Sequence, residues 1–307
     1  MQKVIIASRG SQLALWQSNW VRSNLERLNP GLGVEIKIIK TKGDLIVDQA
    51  LPELGAAGKG LFTRELEEEM LDGRADLAVH SLKDLPTDLP EGLGIGAISE
   101  REDVRDALVA REGIMSFAEL PYGAVVGTSS LRRQSQMLSV RPDIKVVPIR
   151  GNVDTRLRKL DEKQFDAIVL AAAGLHRLDR GHRITQYLSE SFLLPAVGQG
   201  ALGIETRSQD ERINNMVKRI DHAPTRFACE AERAFLTGLG GGCLVPIAAL
   251  ARASEGEVTI NGLVAKADGS EVIRGKETGA ARSASEIGGR LAEKLLGQGA
   301  KALLEAH

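Results

Sequence analysis

A chain of 307 residues is long enough for two or three domains, each with its own core. Its 43% hydrophobic and 26% charged residues match a water-soluble globular protein, and no apolar run approaches the length that spans a bilayer. With a net charge of −1 and only 3% aromatics, it has neither an overall field for polyanions nor stacking platforms for single-stranded nucleic acid, so nucleic-acid and membrane partners are set aside.

The N-terminal segment Met1-Gln2-Lys3-Val4-Ile5-Ile6-Ala7-Ser8-Arg9 has too short an apolar run for a signal peptide and reads as a first strand. With two cysteines and no export signal, the expected compartment is the cytoplasm. Ser11 to Leu28 places Leu13, Trp16, Trp20, Val21 and Leu25 near helical spacing, and Asn29-Pro30-Gly31 ends the helix. A strand over Val34–Ile39, a helix over Phe62–Leu71 and a strand over Ala75–His80 follow. This βαβ order predicts a largely parallel sheet covered by helices.

The charge-dense run from Ser99 to Asp106 reads as a break. Alternation then resumes: strands over Ala124–Gly127, Ile144–Ile149 and Ala167–Leu170, and helices over Leu131–Val140 and Val153–Leu160, make a second α/β unit. Beyond Leu194-Pro195-Ala196-Val197-Gly198-Gln199-Gly200, helices are expected over Gln209–Ile220 and Thr225–Leu236. The tail changes to strands near 247–252, 257–266 and 271–277, then helices at 284–297 and 299–306, an α+β pattern.

Three β-to-α junctions are rich in arginine and hydroxyls: Arg9-Gly10-Ser11, Thr128-Ser129-Ser130-Leu131-Arg132-Arg133 and Arg150-Gly151-Asn152-Val153-Asp154-Thr155-Arg156. Ligands of open α/β sheets bind beyond the carboxyl ends of the strands, and arginine grips carboxylate or phosphate in a fork. One such junction is an ordinary capped helix; three point to a site for an anion met by local arginines. Gly55-Ala56-Ala57-Gly58-Lys59-Gly60 lacks the spacing and the Ser or Thr of a nucleotide loop. His80-Ser81-Leu82-Lys83-Asp84 puts a lysine and a carboxylate side by side at a strand end, either a solvated ion pair or a charged pair facing a cleft. His80 has no partners at metal-ligand spacing, and two cysteines are too few for a zinc cage, so no metal is expected. Cys243, in Leu239-Gly240-Gly241-Gly242-Cys243-Leu244-Val245-Pro246, sits on a glycine loop and is either an ordinary loop cysteine or a site of covalent attachment. Cys229 lies in a helical segment and reads as helix packing.

The ordered motifs Ser8-Arg9-x-Ser11-x-Leu13-Ala14, Gly58-Lys59-Gly60-Leu61-Phe62, Ala78-Val79-His80-Ser81-Leu82-Lys83-Asp84-Leu85-Pro86, Gly127-Thr128-Ser129-Ser130-Leu131-Arg132-Arg133-Gln134, Arg150-Gly151-Asn152-Val153-x-Thr155-Arg156, Leu194 to Gly200, Glu232-Arg233-Ala234 and Gly241-Gly242-Cys243-x-Val245-Pro246 closely resemble the porphobilinogen deaminase family. The resemblance runs the length of the chain. It implies two α/β domains like those of type II periplasmic binding proteins around a cleft, residues 1–99 with 200–218 and residues 100–199, and a smaller α+β domain, residues 219–307, that carries the cofactor cysteine. Crossings near residues 100 and 197 would act as hinges.

The resemblance further implies a monomeric transferase of tetrapyrrole (porphyrin and heme) biosynthesis. Cys243 would hold a dipyrromethane cofactor in thioether linkage. Four porphobilinogens would be condensed on it head to tail with loss of ammonia, and hydrolysis would release the linear tetrapyrrole hydroxymethylbilane. Asp84 is then the catalytic candidate, stabilising the positive charge that follows loss of ammonia. Arg9, Ser11, Lys83, Ser129, Arg132, Arg133, Arg150 and Arg156 would bind the acetate and propionate groups, with Lys59, Ser81, Thr128 and Ser130 supporting, and Arg177 and Gln199 on less distinctive segments. Gln12 and Asp154 depart from common family forms without touching a proposed ligand. Two other readings use the same arginines without Cys243 or Asp84: a non-enzymatic anion-binding protein, and the effector half of a transcription regulator, which the lack of a helix-turn-helix before the first strand disfavours.

Overall fold

The computed structural model describes residues 3–45, 60–241 and 245–305, and in it the chain forms three sheets. The first contains β1 (Lys3–Arg9), β2 (Gly33–Ile39), β3 (Leu77–Ser81) and β4 (Leu93–Ile98), with α1 (Gln12–Leu28), α2 (Lys42–Leu45) and α3 (Arg64–Leu71) between them. The second is built from β5 (Asp106–Ala110), β6 (Val125–Gly127), β7 (Lys145–Val147), β8 (Ala167–Ala171) and β9 (Gln186–Leu188), with α4 (Leu131–Leu138), α5 (Val153–Asp161) and α6 (Ala172–Arg177). The chain then returns to the first sheet as β10 (Leu202–Arg207) and continues through α7 (Glu211–Val217) and α8 (Ala223–Gly238). A meander of β11 (Ile247–Ser254), β12 (Glu257–Ala265) and β13 (Val272–Ala280) follows, then α9 (Ala284–Gly297) and α10 (Ala300–Glu305).

The two large sheets share one topology, β2-β1-β3-β10-β4 and β7-β6-β8-β5-β9. Helix-connected neighbours such as β1/β2, β1/β3, β6/β7 and β6/β8 are parallel. The expectation of a largely parallel sheet holds only for these. In each sheet one strand, β10 or β5, runs antiparallel to both neighbours. The reason is connectivity: each enters directly from the other lobe, with no crossover helix to impose parallel direction. The two crossings bond to each other, Ser99 N–H donating to Leu202 O at 3.0 Å and Glu102 N–H to Gly200 O at 3.2 Å.

Local signals place the helices. The Ser11 side chain caps α1 by accepting from Ala14 N–H, and Ala14, Val21 and Leu25 turn inward. Trp16, expected on the apolar face, is 37% exposed; its ring instead underlies the Arg177 guanidinium, 5.6 Å away. In the last unit, α8 and α9 cover the meander, and Phe235, Ile260, Leu291 and Leu295 are fully buried between them. Each such side chain contributes roughly 1.5–3 kcal/mol. Among the described residues no helix is long and apolar enough to cross a membrane.

Helices α8 and α9 meet at Gly288, where a Cβ would collide with the Ala231 carbonyl. The obstacle is backbone and cannot swing aside. Gly288→Ala is therefore expected to lower stability by about 1–3 kcal/mol despite alanine's higher helix propensity, seen as an earlier midpoint in urea unfolding.

Candidate functional site

β3 ends at Ser81 and passes straight into a 3-10 turn, Leu82–Asp84. Leu82, 1% exposed, anchors the turn among Leu85, Ile98, Ala201 and Cys229. That anchor leaves Lys83 half-buried and turns Asp84 out to solvent. From the side, Gln17 of α1 donates to Ser81 Oγ at 2.7 Å. Burial pushes the Lys83 ammonium down to about 8, with Arg133 and Arg132 adding to the effect and Asp84 and Asp106 opposing it. His80, behind the turn, is buried and pairs with Glu205 at 3.1 Å, a core role.

In the second lobe, the segment after β6 is held by its own hydroxyls. Thr128 Oγ1 accepts from Ser130 N–H, and Ser129 Oγ donates to Ile149 O at 2.9 Å while accepting from Ile149 N–H. This fastens the loop before α4 to the loop before α5, so that Arg150 follows directly. Gly151 has φ +107°, and a Cβ there would lie 2.5 Å from Thr155, so the turn requires glycine. Asn152 caps α5 through Thr155 N–H, and Arg156 Nε donates to Gly151 O at 2.8 Å. Burial pushes Arg156 down to about 10, helped by the charges of Arg133 and Arg150 and opposed by Asp84.

The second lobe also holds a carboxylate that residue pattern did not mark out. Asp106, the first residue of β5, has no exposure. Arg132 donates to one oxygen at 2.7 Å, and Arg133 to the other at 2.7 and 3.1 Å. Burial opposes its ionisation, but the two guanidiniums outweigh burial and hold the carboxyl far below the usual range. Gln199 Nε2 donates to the same carboxylate at 3.0 Å and to Val104 O at 2.8 Å, and Lys83 donates to Gln199 Oε1 at 3.4 Å. Arg132 also donates to Leu194 O and Arg133 to Val169 O.

The sequence-derived residues thus fall into groups. Lys83, Asp84, Arg133, Arg150 and Arg156 share one electrostatic neighbourhood, drawn from both lobes. Arg132 and Arg133, expected to meet ligand, are 5% and 6% exposed and already bind Asp106. Arg177 lies apart: it donates to Gly200 O at 2.6 Å, and burial pushes it down to about 10. Ser11 is a helix cap, and Arg9 lies 4.2 Å over the Phe62 ring. Thr128 is buried, while Ser130 sits at the start of α4 without capping it by its side chain. Lys59 and Cys243 lie outside the described residues, as does most of the Gly55–Gly60 loop.

Asp106 was missed because it closes a run of six charged residues between Glu100 and itself, which reads as a solvated break. The signal available was the apolar Ala107-Leu108-Val109-Ala110 that follows, which marks a buried strand. Arg101 and Glu232 were likewise given no site role, although Glu232 opens one of the motifs that carry the resemblance. Arg101 donates to both Glu232 oxygens at 2.7 and 3.0 Å and to Gln199 O at 2.7 Å, and Glu232, with no exposure, also accepts from Gly198 N–H and Ala251 N–H. Cys229 lies against the Leu82 anchor, where burial raises its thiol to about 12 and leaves it an unreactive packing residue.

Two family descriptions match the chain: "Porphobilinogen deaminase, dipyromethane cofactor binding domain" over residues 4–215, and "Porphobilinogen deaminase, C-terminal domain" over residues 226–297. The porphobilinogen deaminase of Pelobacter propionicus is 51% identical over 300 residues, covering 98% of this chain and 96% of the relative. That of Geobacter metallireducens is 51% identical over 299 residues, covering 97% and 93%. Among solved structures, the VFT2 domain of Bordetella pertussis BvgS aligns at TM-score 0.40 with 18% identity, covering 71% of this chain and 85% of that one. A Salmonella typhimurium periplasmic binding protein with high arginine specificity aligns at TM-score 0.39 with 11% identity, covering 72% and 92%.

Replacing Asp106 by asparagine leaves two buried guanidiniums without a counter-charge. The loss of a buried pair costs about 3–5 kcal/mol. Because the folded carboxyl is depressed below its ordinary 3.8, its contribution is complete above that pH and fades only in stronger acid. Asp106→Asn is expected to lose this amount at pH 7 in urea unfolding.

Proposed function

Since the chain belongs to the porphobilinogen deaminase family, we propose that the basic cluster between its two α/β lobes is where porphobilinogen is condensed, with Asp84 as the catalytic carboxylate and Cys243 as the anchor of the dipyrromethane primer. The activity is that of hydroxymethylbilane synthase, a transferase of tetrapyrrole biosynthesis that works with a dipyrromethane cofactor. The observation carrying the site assignment is that exposed Asp84 lies within electrostatic reach of both Lys83 and Arg156, with Arg133 and Arg150 beside them.

The donor set fits a polycarboxylate. Arg132 and Arg133 lie beside Lys83, and Arg133 and Arg150 beside Arg156, while Asp84 opposes them at both; burial already weakens the charged forms of Lys83 and Arg156. Acetate and propionate groups would offset that excess of positive charge. When bound, the primer supplies the nucleophilic carbon of a terminal pyrrole. Arg150, Arg156 and Lys83 orient carboxylates of primer and substrate, with Arg9, Ser11, Lys59, Ser81, Thr128, Ser129 and Ser130 as further contacts. On this reading Arg132 and Arg133 are held within the second lobe by Asp106, while Gln199, which bonds both Asp106 and Lys83, and Arg177, which bonds Gly200, tie the lobes together.

Loss of ammonia from porphobilinogen breaks the carbon–nitrogen bond and leaves the methylene carbon electron-poor, with positive charge delocalised onto the ring nitrogen. Asp84 stabilises that charge at the pyrrole N–H, fixed before the reaction by the buried Leu82 anchor and worth most where water is excluded. A carboxylate at this position is also placed to carry the proton released when the new carbon–carbon bond forms.

The same reading divides the chain into residues 1–99 with 200–218, residues 100–199 and residues 219–307, working as a cytoplasmic monomer as the family resemblance implies. Asp84→Asn is expected to retain the adduct-bearing fold and to lose turnover by about 10²–10⁴-fold. Steady-state product formation measures this, and near-normal turnover would remove Asp84 from the role. Intact-protein mass tests the anchor: the wild-type chain should carry an increment of dipyrromethane size that Cys243→Ser lacks, and a bare mass in active protein would overturn the assignment.

A further inference from the structure

The segment that trails Asp84, residues 85–89, belongs to no strand or helix, so its carbonyls have no ladder partners. They are met instead by one side chain from the third unit. Arg233 of α8 donates from Nη1 to Leu85 O at 3.1 Å, and from Nη2 to Pro86 O at 2.7 Å and Thr87 O at 3.2 Å. The planar fork of a guanidinium spreads its donors along three successive carbonyls, whereas the three donors of a lysine diverge from a single nitrogen.

We propose that Arg233 is a positioning residue for Asp84, coupling the catalytic turn to the helix that leads toward Cys243. The inference rests on the role of Asp84 given above. Arg233 acts through backbone. On the near side of Asp84 the turn is closed by Leu85 N–H donating to Leu82 O at 3.2 Å; on the far side Leu85 O is held by Arg233. With Leu82 buried beneath, the Asp84 backbone is fixed on both flanks while its carboxylate stays exposed.

The rest of α8 places Arg233 there. Cys229, Glu232 and Arg233 stand at i, i+3 and i+4 and so share one side of the helix. Cys229 supports the underside of the turn, Glu232 holds Arg101 and Gly198 of the two crossings, and Arg233 holds the trailing loop. One rigid helix therefore sets the Asp84 turn and the crossings from the same frame. A shift of that frame relative to the first lobe would move Asp84 with it.

Misplacing a catalytic group by about 1 Å costs on the order of 10²-fold in rate. Arg233→Met is accordingly expected to lower kcat about 100-fold and Arg233→Lys about tenfold, with KM for porphobilinogen within about twofold of wild type. Rates are taken per adduct-bearing molecule, counted by intact mass, so that incomplete cofactor loading does not enter. Should Arg233→Met not fold, Arg233→Lys decides alone. In the Asp84→Asn background, Arg233→Lys is expected to leave the residual rate unchanged, because there is no carboxylate left to position. Full kcat in the single variants, a KM that rises in step with the loss, or additive losses in the double variant would each overturn the proposal. Silent Arg233 variants beside an inactive Asp84→Asn would sink this inference alone. A fully active Asp84→Asn would sink the reading beneath it.

Discussion

The buried carboxylate of Asp106 is the interaction on which the basic side of the second lobe, and its link through Gln199 to Lys83 of the first, depends. A lone ionised carboxylate without solvent contact is unfavourable by several kcal/mol, so it persists only because Arg132, Arg133 and Gln199 donate to it together. Those three residues come from α4 and from the returning crossing, and Gln199 in turn receives Lys83 from the first lobe. One charge thereby organises a chain of contacts from the second sheet to the turn that carries Asp84. The two arginines gain orientation, and the positive charge they leave over contributes to the field in which Lys83 and Arg156 sit.

The third unit enters the same arrangement through α8. Its apolar face closes the core under the meander around Phe235 and Leu291, while Glu232 reaches out to the crossings and Arg233 to the loop after Asp84. Glu232 is another buried carboxylate, and Arg101 answers it with a bidentate fork. Two buried acid–arginine clusters, one on each side of Gln199, therefore join three sheets at the crossings. Such clusters add geometric definition even where their net stabilisation is small, because removing either partner leaves an unpaired charge in a dry site.

Much of this is legible in the amino-acid sequence. The periodicity of α1, α5, α8 and α9 and the strands β1, β2, β11 and β12 follow from apolar spacing, and the structure moves their ends by a residue or a few. The hydroxyl- and arginine-rich junctions are where strands meet helices, as their composition implied. What residue type and spacing could not show shares a cause. Trp16, Arg132 and Arg177 have the right residue type for an apolar face or an anion site, yet each has a partner far away in sequence: the Arg177 guanidinium, the Asp106 carboxylate, the Gly200 carbonyl. The antiparallel β5 and β10 were hidden for the same reason, since strand direction depends on where the chain has come from and not on its pattern.

The amino-acid sequence by itself determined the family, the alternation of elements, the junctions that supply cations and the adjacency of Lys83 and Asp84. These are local or motif properties, written in residue type and spacing within a turn or two of chain. Only the tertiary structure decided that Lys83 and Arg156 lie near Asp84, that Arg132 and Arg133 bond Asp106 and Arg177 bonds Gly200, and that Arg233 grips the loop behind Asp84. Those outcomes depend on burial and on pairs separated by twenty to nearly one hundred and fifty residues, such as Arg133 with Asp106 and Arg233 with Leu85. Burial and the partner, not the residue type, decide whether a charge is available for chemistry.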